Sequence, residues 1–341
     1  MIKKLRVAII YGGRSGEHEV SLVSAKSVIS ALDPAKYEVS KLKISKNGEW
    51  EDNKSALHII KKDFDVVFPV MHGTYGEDGT IQGMLEMANV PYVGCGVFAS
   101  AAAMDKFMSK IIFGANGLQQ ADFLHFTRKQ IRENLPDIKK EITQKIGFPC
   151  FVKPSNLGSS VGISKVKKAD ELPIALNIAG DFDASVIVEK GIDAREIECS
   201  VLGNDEPVSS IPGEVVPNRE FYDFYSKYVD NASKLFIPAK ISDKKIAEVK
   251  DLAIKAYKSL QCSGMARVDF LMDRNTEKFY LNEINTIPGF TSISMYPKLW
   301  EASGIKYSEL IDKLIELAIE RHNEKQKNKF SFDSGSDWYQ K

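Results

Sequence analysis

The chain has 341 residues, 43% hydrophobic and 27% charged, the ordinary balance of a soluble globular protein. That length exceeds the usual reach of one hydrophobic core, so two or three domains are expected. The 46 Lys and Arg equal the 46 Asp and Glu, which excludes a global basic field for nucleic acid or an anionic membrane.

The first segment, "MIKKLRVAIIYGG", is not read as a signal peptide, because Arg6 interrupts its apolar run and no small-residue cleavage site follows. Leu5 to Tyr11 reads instead as a buried strand. A helical stretch from Val20 to Leu32 comes next, then strands at Val39 to Ile44 and Val66 to Val70, and "VPYVGCG" (90 to 96) as a short closing strand. Strands alternating with helices predict a parallel, helix-covered sheet. An alanine-rich helical stretch spans Ser100 to Asn116, and "FPCFVKPSNLGSSVGISKV" (148 to 166) reads as strand, Gly/Ser-rich turn, strand. Further along, Ser185 to Glu189 reads as an edge-like strand and Ile197 to Leu202 as another. From Ser242 to Leu260, the residues Ile246, Val249, Leu252, Ala253, Ala256 and Leu260 share one helical face. Strands at Ala266 to Met272 and Lys278 to Ile284 follow. Residues 213 to 238 are aromatic-rich without periodicity, and a loop that long is expected to be functional. The tail from Glu324 is polar and expected to be loosely held. No window approaches the ~18 apolar residues of a membrane span. The four cysteines, Cys95, Cys150, Cys199 and Cys262, lack Cys-x-x-Cys spacing, which fits reduced, buried thiols in a cytoplasmic protein.

Three constellations carry chemistry. In "GGRSGEHEVS" (12 to 21) a glycine turn after the first strand resembles a dinucleotide-binding turn, yet Glu17 and Glu19 would repel a pyrophosphate, so the turn faces a cation instead. In "ARVDF" and "LNEIN", Arg267 with Asp269 and Glu283 with Asn285 have matching strand parity. If these strands pair through "DRNTE", one surface collects two carboxylates, an amide and a guanidinium, hard donors that suit Mg²⁺. "NTIPGF" then adds backbone N–H groups beside them. The competing reading is a solvated strand face with a surface ion pair. Lys153 with "SNLGSSVG" reads as a phosphate clamp, against the competing reading of a surface hairpin. No helix opens after those glycines and GxxxxGK[ST] is absent, so this is not a Walker loop.

Taken together, "GGRSGEHEVSLVSA", "MHGTYGEDGTIQGMLE", "VKPSNLGSSVGISKV", "ARVDF" and "NEINTIPGFTSISMYP" resemble the D-alanine:D-alanine ligases of the ATP-grasp superfamily, in the family's order from Gly12 to Pro297. The resemblance implies an α/β fold (α+β overall) with three-domain ATP-grasp architecture and an N-terminal, Rossmann-like parallel-sheet domain. The expected division is an N-terminal domain at 1–97, a central ATP-grasp subdomain at 98–188, a C-terminal subdomain at 189–323 carrying the Mg²⁺ site and a lid at 213–238, and a tail at 324–341. It implies that ATP phosphorylates a first D-alanine and that the amine of a second attacks the acyl phosphate, for peptidoglycan precursor synthesis. Asp269, Glu283 and Asn285 match ligands of two Mg²⁺ ions, with Mn²⁺ able to substitute. Lys106 and Lys153 match phosphate-contacting lysines, and Ser159 and Ser160 the phosphate-covering loop. Glu189, Lys190 and Ile192 match the adenine-reading segment, Glu196 the ribose contact, and Asn282 a further nucleotide contact. Glu17 matches the glutamate that holds the first ammonium, linked through Ser159 and Tyr228 to the lid, where Lys227 also lies. Arg267 and the Gly289 N–H match oxyanion donors. Ser294 and the Met295 N–H match the second carboxylate's site, with the methionine side chain suiting a methyl group, and His72 matches a histidine near the second substrate. A homodimer is implied as well. Arg14 and His18 carry no assigned role.

Three other readings compete. A D-alanine:D-serine or D-alanine:D-lactate ligase, or another ATP-grasp carboxylate–amine ligase, keeps the magnesium and ATP residues; the latter has no need of Glu17, Tyr228 and Ser294 together. An NAD-dependent oxidoreductase requires a ribose-binding acid after the second strand, where the sequence has Ser45-Lys46. A non-catalytic nucleotide sensor has no need of Arg267 beside a full ligand set.

Overall fold

β1 (Leu5–Gly12) contains the run Val7-Ala8-Ile9-Ile10, and all four side chains are fully buried. A strand apolar on both faces belongs at the centre of a parallel sheet covered on both sides. It lies there, in the order β2-β1-β3 with β2 (Tyr37–Ile44) and β3 (Val66–Val70), all parallel. The computed structural model of the chain describes residues 3–51, 63–216, 234–291 and 293–329, together with Ala56, Ile60 and Ser331. The expected strand at 90–96 shrinks to one parallel bridge between Val67 and Tyr92. Gly94 adopts a φ of +98°, which turns the chain away from the sheet before the next helix starts. One face of this sheet packs on α1 (His18–Ala31), the other on α2 (Thr80–Ala88).

α3 (Val97–Met104) and α4 (Lys106–Ala115) come next. A second, antiparallel sheet has the order β4-β7-β5-β6, from β4 (Phe123–Thr127), β5 (Cys150–Pro154), β6 (Ser164–Val166) and β7 (Ser185–Lys190). β7 therefore lies between two partners rather than at an edge, as the complete burial of Val186, Ile187 and Val188 requires. α5 (Arg128–Lys145), opened by a Thr127/Gln130 capping box, and α6 (Leu172–Phe182) cover it.

The third sheet runs β11-β10-β8-β12-β13, with β9 (Val208–Ser209) also on β8 (Ala194–Gly203). β12 (Gly264–Asp273) and β13 (Phe279–Asn285) pair antiparallel across the turn anticipated from "DRNTE". β12 alternates strictly: Ala266, Val268, Phe270 and Met272 enter a core capped by α7 (Asp243–Ser259), while Arg267 and Asp269 face the other way. β10 (Gly213–Val216) and β11 (Lys234–Phe236) form the two ends of the expected lid, and Lys227 and Tyr228 lie outside the described residues.

The cores cross the boundaries expected from the sequence. Ala99, Ala102, Ala103 and Phe113 of α3 and α4 join the core of the third sheet rather than the second. α9 (Tyr307–Lys325), which follows α8 (Met295–Ala302), returns to the first sheet, where Leu310, Ile311 and Leu314 meet Val7, Ile9 and Phe68. Its last residue, Lys325, pairs with Glu86 of α2, so the start of the expected loose tail is held.

Candidate active site

Three neighbouring strands put their polar side chains in rows. Glu198, Asp269 and Glu283 are partners across β8, β12 and β13, and Ser200, Arg267 and Asn285 form the next row. The parity read from the sequence thus delivers Arg267, Asp269, Glu283 and Asn285 to one surface. Between Asp269 and Phe270 the register slips, leaving Asn282 as the extra residue of a bulge beside Glu283. Arg267 holds Asp269 through two bonds of 2.7 Å and Glu198 at 2.9 Å, and Asn285 donates to Asp269 at 2.9 Å. Burial disfavours the guanidinium charge, but Asp269 and Glu198 outweigh it and raise the Arg267 pKa well above its usual value. Among the described residues named here, three carboxylates lie beside one guanidinium, a formal excess of two negative charges that suits a divalent cation. Facing carboxylate oxygens with an amide one step away fit a hard ion such as Mg²⁺.

Across the cleft lie the lysines. Lys153, near the end of β5, donates to Glu189 of β7 at 2.8 Å, and Lys106, at the start of α4, donates to the Leu157 carbonyl of the β5–β6 loop at 2.6 Å. The Glu189 carboxylate is buried between Lys153 and Lys110, the latter 3.4 Å away. Burial alone would raise its pKa; the two lysines outweigh that and hold it at about 2. Lys190 and Ile192 fall in the link from β7 to β8, where Lys190 N–H bonds Asp122 and Gly191 N–H bonds Pro149. Glu196 stands on β8 with the same parity as Glu198.

Glu17 precedes α1 but makes no capping bond, contrary to the helix-cap alternative for an acid at that place. Its carboxylate instead accepts a short hydrogen bond from Ser159, in the loop between β5 and β6. Ser159 and Ser160 both have positive φ, 53° and 58°, a backbone that costs a non-glycine residue about 1–2 kcal/mol. The bond to Glu17 is one contact that holds this strained pair. Below it, one ligand atom from each of Glu17, His72 and Glu77 lies within 4.8 Å of the others. His72 is buried with Nδ1 3.0 Å from the Ile287 carbonyl and Nε2 2.9 Å from Ser24 Oγ. A carbonyl can only accept, so Nδ1 carries the proton and Nε2 accepts from Ser24. Burial lowers the His72 pKa and keeps it neutral. Both ring nitrogens are thus engaged within the protein, by the Ile287 carbonyl and Ser24 Oγ.

Ser294 caps the approach to α8, and its Oγ receives the Thr291 N–H at 3.0 Å. A Cβ on Gly289 would come within 2.7 Å of that Oγ, so only glycine lets the two segments meet with a free N–H between them. The Met295 N–H opens the helix, where orphan donors suit a carboxylate. Its side chain packs in a small core with Val215 and Leu299.

Sequence similarity agrees with this arrangement. The family description "D-ala D-ala ligase C-terminus" matches residues 112–316, and "D-ala D-ala ligase N-terminus" matches 6–63 and 53–95. A D-alanine–D-alanine ligase of Thermoanaerobacter sp. is 53% identical over 361 positions, covering 95% of this chain and 99% of that one. The chain belongs to the D-alanine–D-alanine ligase family. Another family protein, from Solibacter usitatus, is 49% identical over 96% of this chain and 99% of its own. The solved D-alanine-D-alanine ligase from Coxiella burnetii superposes with a TM-score of 0.82 at 38% identity, over 95% of this chain and 96% of that one. VanG D-Ala:D-Ser ligase from Enterococcus faecalis gives 0.83 at 35% identity, over 93% and 100%. The three sheets are accordingly those of the ATP-grasp ligase fold.

Three residues of the site had no part in the sequence reading: Glu198, Lys110 and Glu77. Glu198 shares parity with Glu196, and Lys110 follows Lys106 by four residues on one helix, so local signals existed for both. Glu77 lay inside the quoted "GEDG" without an assigned task.

Proposed function

We propose that this protein joins two D-alanines at the expense of ATP, with Mg²⁺ (or Mn²⁺) held by Asp269, Glu283 and Asn285, to form the dipeptide used in peptidoglycan precursors. The observation that carries the reading is the Glu17–Ser159 bond, which ties an ammonium-binding carboxylate on the first sheet to the phosphate loop of the second. The metal supplies charge neutralisation at the phosphates. Lys106 and Lys153 hold the phosphates, the link at Glu189 to Ile192 reads adenine, and Glu196 and Asn282 complete the nucleotide contacts.

Glu17 fixes the ammonium of the first D-alanine, so its carboxylate oxygen attacks the γ-phosphorus and ADP leaves. The amine of the second D-alanine, anchored through its carboxylate by Ser294 and the Met295 N–H, attacks the acyl carbon. A tetrahedral oxyanion forms, Arg267 and the Gly289 N–H stabilise it, phosphate leaves and the amine proton is lost. Tyr228 and Lys227, in the lid, close the site against water, which would hydrolyse the acyl phosphate. The protein works in the cytoplasm, where its substrates are made, as a homodimer. Exposed Met87, Val97 and Phe98 on the adjoining α2 and α3 support such a self-association.

Phosphate release from ATP with D-alanine alone, or with L-alanine, D-serine or D-lactate offered beside it, tests the reading. Release that requires D-alanine and yields D-alanyl-D-alanine is expected. Release indifferent to D-alanine overturns it, and a stronger response to D-serine as acceptor moves the chain to the activity named for VanG.

A further inference from the structure

Lys110 is the one lysine of α4 that is 2% exposed, and no motif reading assigned it a task. Its Nζ lies 3.4 Å from Glu189 Oε1, while Lys153 takes Glu189 Oε2 at 2.8 Å. The two lysines therefore share one carboxylate, one oxygen each. Lys110 is also 5.7 Å from the centre of the Phe123 ring, and Phe123 is the register partner of Glu189 across β4 and β7. Its helix is tied to the same strand region by Gln120, whose Nε2 donates to the Lys110 carbonyl at 2.6 Å. Lys106 also acts on Glu189 and Glu283 on Lys110, so among the described residues three lysines face two carboxylates, a formal excess of one positive charge. A buried, unmatched positive charge is costly by itself and becomes useful when a polyanion arrives.

We propose that Lys110 is a positioning residue for the nucleoside triphosphate: by taking half of Glu189, it leaves Lys153 aimed at the nucleotide instead of locked in a closed ion pair. The inference rests on the nucleotide pocket proposed above. Without Lys110, Glu189 and Lys153 become a neutral one-to-one pair, and Lys153 has to break it to meet a phosphate. Burial lowers the Lys110 pKa, with Lys153 adding to that, while Glu189 and Glu283 oppose it.

The test is Lys110→Met with Lys110→Arg beside it, in steady-state kinetics and in calorimetric binding of Mg·ADP. Loss of a charged partner predicts that Lys110→Met raises the ATP KM and the ADP Kd by about tenfold, leaves the D-alanine KM within about twofold, and is largely rescued by arginine. Equal rises in both KM values, or parental ADP affinity, overturn the proposal. Should Lys110→Met not fold, Lys110→Met with Glu189→Gln removes both buried charges. Glu189→Gln leaves Lys153 no carboxylate to lock onto, so ADP binding close to that of Glu189→Gln alone supports the positioning role, and binding weakened a further tenfold overturns it. Lys153→Met is the control: parental ATP KM in that variant shows that the pocket itself is misplaced, a failure distinct from that of Lys110.

Discussion

Glu77 and Glu189 are both carboxylates sunk into the protein, and burial pushes both pKa values up. They end at opposite extremes. Burial and the facing Glu17 carboxylate push Glu77 up to about 8, against the Gly73 N–H at 2.9 Å and the charge of Arg267. Glu189 has Lys110 and Lys153 against it and is held at about 2. Desolvation acts alike on the two; the neighbours decide the outcome. The pocket proposed for the nucleotide is lysine-rich around its one buried glutamate, whereas the one proposed for the amino acid brings two acids together. That asymmetry suits one site for a polyanion and another for an ammonium group.

The contrast is easiest to break at Glu189. Glu189→Leu leaves two adjacent lysines without an anion in a buried place, so it is expected to cost about 3–5 kcal/mol of stability, read from urea unfolding. A loss below about 1 kcal/mol, the scale of an exposed pair, would mean that these charges are hydrated and that the pocket is not pre-charged. Next in size is Arg267→Ala. Arg267 pairs with both Glu198 and Asp269, so its removal takes away the proposed oxyanion donor and one positive charge from beside these acids. A fall in kcat of about 10²–10³, or about 2.7–4 kcal/mol, is expected, with folding checked by circular dichroism; kcat near that of the parent shows the site to be misplaced. Glu17→Gln is expected to do less, about 1.5–3 kcal/mol in kcat/KM for D-alanine, the worth of one charge-assisted bond. The ATP KM should stay put, because Lys106 and Lys153 are untouched, and a matching rise in ATP KM would refute the division of labour between the two pockets.

How much of this was legible without coordinates follows from the range of each interaction. Arg267 with Asp269, and Glu283 with Asn285, were found because strand parity is a two-residue rule that needs no knowledge of partners. Parity with Glu196 marked which face of its strand Glu198 is on, but its place in the row comes only from the pairing of β8 with β12, 71 positions away along the chain (269 − 198). The bulge at Asn282 is likewise a property of two strands together. Ser159 meets Glu17 across a separation of 142 residues; the resemblance anticipated that contact, and periodicity had no access to it. Where local patterns misled, packing direction was the missing quantity. β7 was read as an edge although its run of Val and Ile demands neighbours on both sides. The alanine-rich α3 gave its helical character plainly and hid which sheet it covers.

The smallest expected effect is the most specific to the acid pair. Glu77 has a folded pKa raised above its unfolded value of 4.5, so its contribution to stability is fully present below 4.5 and is lost as pH rises towards about 8. Neutral, buried His72 works the other way: its pKa is lowered from 6.5, so below 6.5 the unfolded chain takes up the proton first and acid destabilises the fold. The two effects oppose each other under pH 6.5 and separate above it. Between pH 6.5 and 8 only Glu77 titrates of this pair, and the 1.5 units (8 − 6.5) correspond to about 2 kcal/mol of stability lost on going up. Glu77→Gln should flatten that slope and leave the acid side, governed by His72, in place. Urea midpoints measured at half-unit steps decide the matter. If the parent shows no decline from pH 6.5 to 8, or the glutamine variant declines just as much, Glu77 is already ionised there and the amino-acid pocket is not the counterpart of Glu189 drawn above. D-Alanine sharpens the same measurement, since an ammonium group beside Glu17 offsets the repulsion that keeps Glu77 protonated. Saturating substrate is expected to move the decline to lower pH, and only in the protein that retains Glu77.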